Sequence, residues 1–191
     1  MSQTQSNVDP QEVQQFNAIA AQWWDPKGSL KPLHDLNPLR IQFIKEQAVV
    51  ADKMILDIGC GGGLLTEALA KDGGIMTGID MAADVIAVAI DHAKQQNLHI
   101  DYQQISAESY ADLHPATYDS VICLELLEHV PRPEELVRAC AALAKPGGNV
   151  FFSTLNRTLK SYLFAIIGAE YILRLLPQGT HDYQKFIRPS E

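Results

Sequence analysis

Residues 55–63 read ILDIGCGGG, and this stretch says more about the architecture than any other part of the chain. A short run of aliphatic and β-branched residues ends here in a loop that contains four glycines. Residues 64–71 then show the apolar spacing of a helix. Glycine permits positive φ angles and lets a ligand approach the backbone closely. Because ligands of doubly wound sheets lie at the carboxyl ends of the strands, we expect the functional site at this loop.

Strand-like and helical segments alternate on both sides of the loop. The pattern predicts strands over residues 54–58, 75–79, 99–105, 120–124 and 149–155. It predicts helices between them over residues 64–71, 83–96 and 133–145. Such alternation is typical of an α/β fold with a doubly wound, mostly parallel sheet and helices on both faces.

Two helices are expected before the first strand. Asp9 has the chemistry of an N-cap and Pro10 suits the first helical position, so a helix should begin there. A second helix is predicted from Asn37 to about Ala48, with Pro38 at its start. We therefore expect an N-terminal element that precedes the sheet.

Composition excludes several classes of protein. The 191 residues carry 15 Lys and Arg against 23 Asp and Glu, and 47% are hydrophobic, which is typical of one globular domain. The net charge of −8 disfavours a nucleic-acid partner. Cys60, Cys123 and Cys140 form neither a C-x-x-C pair nor an even-numbered disulfide framework. Together with a start that lacks a signal peptide, this favours a cytoplasmic location.

The spacing of the glycines distinguishes between the classes of ligand that glycine-rich loops bind. A P-loop would need Gly-Lys-Ser or Gly-Lys-Thr after the glycines, and neither occurs. A dinucleotide loop that starts at Gly59 would need glycine where Leu64 stands, so NAD is the second choice. The pattern that remains is D-x-G-x-G-x-G, formed by Asp57, Gly59, Gly61 and Gly63.

An acid at the end of the second predicted strand narrows the choice of ligand. Asp80 follows Gly59 by 21 residues, the offset at which a carboxylate accepts hydrogen bonds from ribose hydroxyls. Its charge would repel a 2′-phosphate, and Asp57 suits a cationic amino group better than a pyrophosphate. These features favour S-adenosylmethionine (SAM), which carries an adenosine, a sulfonium and an amino-acid end.

The motifs resemble those of class I SAM-dependent methyltransferases, which have a Rossmann-like sheet. Residues 55–63 match the first motif of that superfamily, and residues 78–80 match its second-strand acid. The resemblance implies a cofactor site that also includes Met81 beside Asp80, Ala107 and Glu108 near the adenine, and Leu124 under the methionine part.

A closer resemblance extends over nearly the whole chain. The stretches QWWD, KPLH, LNPLR, FSTLNR and GAEYILR, at residues 22–25, 31–34, 36–40, 152–157 and 168–174, are similar to the ubiquinone biosynthesis O-methyltransferase family. The resemblance implies methylation of a catechol hydroxyl on polyprenylated intermediates at two steps, and it places Arg40 in the cofactor site. Other ubiquinone-biosynthesis enzymes are candidate partners.

Methyl transfer to a phenolic oxygen requires a base, since a catechol ionises well above pH 7. Glu125, Glu128 and His129 would lie on one face of a helix at their i, i+3, i+4 spacing. We expect His129 to be the general base, with Glu128 beside it in the catalytic site. The same three side chains are candidate ligands for Mg²⁺. The alternative is a structural role, because similar stretches occur in class I methyltransferases with unrelated substrates.

The last part of the chain is apolar and short. From Ser161 to Leu176 the only charges are Glu170 and Arg174. This segment has 16 residues, fewer than the roughly 20 that are needed to span a bilayer. We expect a lid or a contact with acidic membrane lipid, on the inner face of the membrane; a buried helix is the alternative.

The expected division of the chain is an N-terminal extension with helices (1–48), a SAM-binding core (49–157), and the apolar segment with the C-terminus (158–191). The superfamily has seven strands and only five are predicted here, so we expect the chain to lack the C-terminal hairpin. A SAM-binding protein with impaired catalysis is therefore the alternative function.

Overall fold

A five-stranded parallel sheet forms the centre of the computed structural model, which describes residues 7–154 and Ile187. The strands are β1 (Met54–Ile58), β2 (Ile75–Asp80), β3 (Asp101–Gln104), β4 (Tyr118–Leu124) and β5 (Ala144–Ser153). Their order in the sheet is β3-β2-β1-β4-β5, and every pairing is parallel. The chain therefore reverses its direction of winding at β1, which places the switch point beside the glycine loop.

Six helices surround the sheet within the described residues. They are α1 (Pro10–Ile19), α2 (Lys31–Gln47), α3 (Leu64–Lys71), α4 (Ala83–Gln95), α5 (Ala107–Leu113) and α6 (Pro133–Leu143). Ile44 of α2 and Leu69 of α3 pack with Ile55 of β1 on one face of the sheet. Leu143 of α6 packs with Val121 of β4 on the other face. The expected α/β fold with helices on both faces is confirmed.

The predicted bounds hold where strong local signals mark them. The strand at residues 54–58 and the helix at residues 64–71 are found as predicted. Asp9 caps α1, and its carboxylate accepts the N–H of Gln11. The remaining predicted strands and helices are present with shifted ends.

Two helices differ from the prediction. The second helix begins at Lys31 and contains Pro38 in its interior, although a start near Asn37 was expected. Proline lacks an N–H, so the helix loses one bond there, while the Asn37 amide donates to the Leu64 carbonyl and ties α2 to α3. The short helix α5 was not predicted, because seven residues give too little periodicity; Ser106 caps it by accepting the N–H of Ser109.

The fifth strand also differs from the prediction. It begins at Ala144 and runs through Pro146 and Gly147, which were expected to be only the end of a helix. Its pairing with β4 shifts register between Tyr118 and Ser120. This irregularity allows Pro146 and Gly147 to lie within the strand without regular pairing.

No helix among residues 7–154 has the length and apolar character needed to cross a membrane. The segment from Ser161 to Leu176 lies outside the described residues.

Candidate active site

The glycine loop joins β1 to α3 through three left-handed residues. The φ angles of Gly59, Gly61 and Gly63 are +71°, +54° and +89°. The Gly59 N–H donates to the Ile79 carbonyl of β2 at 2.8 Å, which holds the start of the loop against the neighbouring strand. Side chains with a Cβ rarely adopt such angles, so the glycines are required by the path of the backbone.

Asp80 lies directly across from this loop, as predicted. Its Oδ2 accepts the N–H of Gly61 at 3.1 Å, and its Oδ1 accepts the N–H of Ala82 at 2.9 Å. Burial raises the pKa of Asp80, and the backbone N–H donors oppose this rise. A carboxylate offers about four acceptor positions, so Asp80 keeps capacity for further hydroxyl donors.

Asp57 is buried beneath the loop, at the end of β1. Thr66 donates its hydroxyl to the Asp57 carboxylate at 2.6 Å. Burial raises the pKa of Asp57 to about 7, although the Thr66 hydrogen bond and the positive charge of Arg40 lower it. Asp57 therefore changes its protonation near neutral pH and would be stabilised as an anion by a nearby cation.

Arg40 connects α2 to the end of β4. Its guanidinium pairs with the Glu125 carboxylate, which also accepts the hydroxyl of Ser153. Glu125 has a φ of +48°, so the chain turns sharply where β4 ends. Arg40 therefore lies beside the carboxyl end of β4, and its role in the cofactor site stays a prediction.

The other expected cofactor residues lie at the ends of β2 and β4 and in the first turn of α5. Leu124 is the last residue of β4 and packs against the core under α2 and α3, and Met81 directly follows β2. Ala107 is buried at the first turn of α5. The Glu108 side chain accepts the amide N–H of Asn7 at 2.7 Å, so the N-terminal segment reaches this end of the site.

The expected metal cluster is not formed. Glu125, Glu128 and His129 do not share a helix face, because Glu125 lies in a left-handed turn and only Leu127–His129 form a 3₁₀ turn. Their partners also differ: Glu125 pairs with Arg40, and the other two contact Thr154 and Glu12. Residues 7–154 contain no group of three His, Cys, Asp or Glu side chains suited to a metal ion. The donor set therefore does not fit Mg²⁺.

His129 retains a geometry compatible with proton transfer. Its Nδ1 lies 3.1 Å from the Glu12 carboxylate of α1, and Phe16 contacts the ring edge-on with centroids 5.6 Å apart. Glu128 is buried and accepts the hydroxyl of Thr154 at 2.9 Å. Its carboxylate therefore holds the turn that presents His129.

Sequence reasoning did not identify the aromatic residues over the glycine loop. A Cβ added at Gly61 or Gly62 would overlap the ring of Trp23. A Cβ added at Gly63 would overlap the Tyr102 hydroxyl. The indole N–H of Trp23 and the hydroxyl of Tyr102 are buried with no hydrogen-bond partner among the described residues. The stretch QWWD was the available signal, but periodicity alone does not reveal what a tryptophan covers.

These features fit an adenosine ligand. The glycines carry no Cβ, so a ligand that takes the place of the Trp23 ring can reach the loop backbone, and Asp80 has unused acceptor capacity beside it. The Trp23 indole N–H and the Tyr102 hydroxyl, which have no hydrogen-bond partner within the part of the chain that the structure describes, adjoin the same loop. SAM is therefore compatible with the residues present.

Comparisons with known proteins agree with this geometry. A family profile described as a methyltransferase domain matches residues 56–152. The magnesium protoporphyrin IX methyltransferase of Synechocystis PCC 6803, solved with bound SAH, superposes with a TM-score of 0.60. It is 20% identical, and the match covers 95% of this chain and 75% of that one. At this identity the likeness shows the fold alone.

Two relatives are much closer in sequence. The ubiquinone biosynthesis O-methyltransferase of Saccharophagus degradans is 56% identical over 191 residues, which are 100% of this chain and 81% of the relative. The enzyme of that name from Pseudomonas aeruginosa is 57% identical over 186 residues, 97% of this chain and 80% of the relative. The fold, the glycine loop with Asp80 and this identity together place the chain in the ubiquinone biosynthesis O-methyltransferase family.

Proposed function

We propose that this chain transfers a methyl group from SAM to a catechol hydroxyl of polyprenylated ubiquinone precursors, at both O-methylation steps. The observation that carries the proposal is Asp80, which faces the Cβ-free loop of Gly59, Gly61 and Gly63 at the switch point of the sheet. SAM supplies an electrophilic methyl group on its sulfonium. The chain must bind the cofactor, orient the acceptor oxygen and remove its proton.

The two ends of the cofactor would meet different groups. Asp80 accepts the ribose hydroxyls, and Met81, Ala107 and Glu108 border the adenine. Leu124 supports the methionine part. The buried Asp57 carboxylate and the Arg40–Glu125 pair would meet the amino-acid end, where opposite charges are needed for an ammonium and a carboxylate.

His129 is the proposed general base. If Nδ1 carries the proton and donates it to Glu12, Nε2 has the lone pair that accepts a phenolic proton. Glu128 acts as a positioning residue through Thr154. No step is assigned to Mg²⁺, because ligation by this set would require Glu125 to leave Arg40 and His129 to leave Glu12.

The Asp80→Asn variant tests the cofactor site. Loss of a charged acceptor costs about 1.5–3 kcal/mol, so we expect the Kd of S-adenosylhomocysteine (SAH) to rise about ten- to hundredfold by calorimetry. Asp84→Asn, at the exposed start of α4, is the matched control and should bind like the parent. Unchanged affinity in Asp80→Asn would contradict the proposed site.

The pH dependence of SAH binding tests Asp57. In the protein without ligand, the Asp57 carboxyl has a pKa of about 7. The ammonium group of bound SAH favours the Asp57 anion, so binding of SAH below about pH 7 releases a proton. Affinity should rise with pH up to about 7 and then level off. Asp57→Asn should abolish this rise; a rise of the same size in the variant would assign the dependence to another group.

The His129→Gln variant tests the base with a water-soluble catechol. We expect kcat to fall about 10²- to 10⁴-fold with SAH affinity retained, and the pH dependence of kcat to flatten. His99→Gln, an exposed histidine after α4, is the control. An unchanged pH profile of kcat would reject the base. SAH binding by the parent chain without any methyl transfer would support the alternative of a cofactor-binding protein.

A polyprenyl tail resides in the bilayer, so the enzyme must reach its substrate at the membrane surface. We propose that the cytoplasmic protein contacts acidic lipid at the inner face of the membrane through Ser161 to Leu176. The support is the apolar sequence of that segment. The protein should sediment with anionic liposomes more than with neutral ones. Equal sedimentation in both would refute the contact.

A further inference from the structure

Trp24 contacts the cofactor loop directly. Its indole N–H donates to the Gly62 carbonyl at 3.0 Å. The indole plane stacks on the imidazole of His92 in α4, with centroids 3.5 Å apart and planes 9° from parallel. One residue of the N-terminal segment thus joins the loop to a helix that follows β2.

The orientation of His92 is set by a buried acid. Its Nδ1 lies 2.8 Å from Oε1 of Glu67 in α3, and the Glu67 side chain is 1% exposed. Lys71 Nζ is 4.0 Å from the other carboxylate oxygen and is largely exposed. A buried carboxylate requires a close partner, so the Glu67–His92 contact fixes the imidazole plane on which Trp24 rests.

A histidine also supports the tryptophan pair from the side of α2. His34 Nε2 lies 2.9 Å from the Trp23 carbonyl, and its ring meets Trp24 edge-on with centroids 6.4 Å apart. The indole of Trp24 therefore contacts His34 of α2 and His92 of α4, and Glu67 of α3 acts on it only through His92. The Trp24 indole N–H donates to the carbonyl of the loop.

The loop needs such restraint because of its composition. Glycines have more backbone freedom than other residues, and ordering them on ligand binding costs entropy. A hydrogen bond to the Gly62 carbonyl from a rigid aromatic side chain removes part of that freedom before the ligand arrives. Restraint before binding increases affinity without any contact to the ligand.

We propose that Glu67 and His92 are positioning residues that hold Trp24 as a clasp on the Gly62 carbonyl and so preorganise the loop for SAM. The clasp comprises Glu67, His92, Trp24 and the Gly62 carbonyl. The inference rests on the proposed function, since it assumes that this loop holds SAM. The clasp acts on cofactor affinity and has no part in proton removal from the acceptor.

The cleanest variant is Trp24→Phe, which keeps an aromatic ring and loses the indole N–H. A lost hydrogen bond corresponds to about a fivefold rise in the Kd of SAH by calorimetry. In steady-state assays the KM for SAM should rise while kcat at saturating SAM stays near that of the parent. The near-UV circular dichroism of the tryptophans should also change in His92→Ala, because the stacked partner of Trp24 is gone.

A double-mutant cycle tests whether His92 acts on SAH binding through Trp24 or only stabilises the fold. If His92 acts through Trp24, the loss of SAH affinity in His92→Ala should largely disappear when His92→Ala is made in a Trp24→Ala background. Glu67→Gln, which keeps a hydrogen-bonding side chain, should lose less affinity than Glu67→Ala. Additive losses in the cycle, or an unchanged Kd in Trp24→Phe, would overturn the clasp.

Controls keep the outcomes distinct. His99→Ala removes an exposed histidine and should bind SAH like the parent. Should His92→Ala fail to fold, as urea unfolding would reveal, Trp24→Phe alone decides. If Asp80→Asn weakens SAH binding and Trp24→Phe does not, the clasp is wrong and the proposed site stands. If the parent chain does not bind SAH, the proposed site and the clasp are both wrong.

Discussion

The backbone of the glycine loop must turn through left-handed angles between tightly packed neighbours, and the rest of the site depends on that constraint. The loop has Trp23 on one side, the Tyr102 hydroxyl on another and the Asp80 carboxylate at Gly61. No Cβ fits between the loop and the two aromatic residues at Gly61 and Gly63. The glycines therefore let Trp23 and Tyr102 pack directly on the loop at the switch point of the sheet, and a nucleoside that rests against this backbone beside Asp80 must take the place of the Trp23 ring.

The electrostatic balance of the site follows from the same packing. Burial is the main cause of the raised pKa of Asp57, and the negative charges of Asp80 and Glu125 nearby raise it further. Arg40 offsets part of this charge by pairing with Glu125. An excess of buried negative charge favours a ligand that brings a cation. A sulfonium cofactor with an ammonium group meets that requirement, whereas a pyrophosphate does not.

Local signals in the sequence were sufficient to predict the first strand, the glycine loop and the position of Asp80 at the end of the second strand. Residues 54–71 combine a β-branched run, glycines and a helical repeat, and Asp80 follows from a fixed offset. The long-range contacts were not predictable in this way. The placement of Trp23 and Trp24 depends on α2, α3 and α4 together, and no periodicity encodes it. The helix expected over Glu125, Glu128 and His129 is also absent because of long-range contacts. Glu125 has a left-handed conformation, and its carboxylate bonds to Arg40 and Ser153.

A crystal structure of the chain with SAH would show whether the cofactor lies between the glycine loop and Asp80. The ribose hydroxyls should lie within hydrogen-bonding distance of Asp80, and the ligand should rest against the backbone of Gly59, Gly61 and Gly63. Electron density for SAH at another place, with this crevice filled by Trp23 as in the present structure, would contradict it.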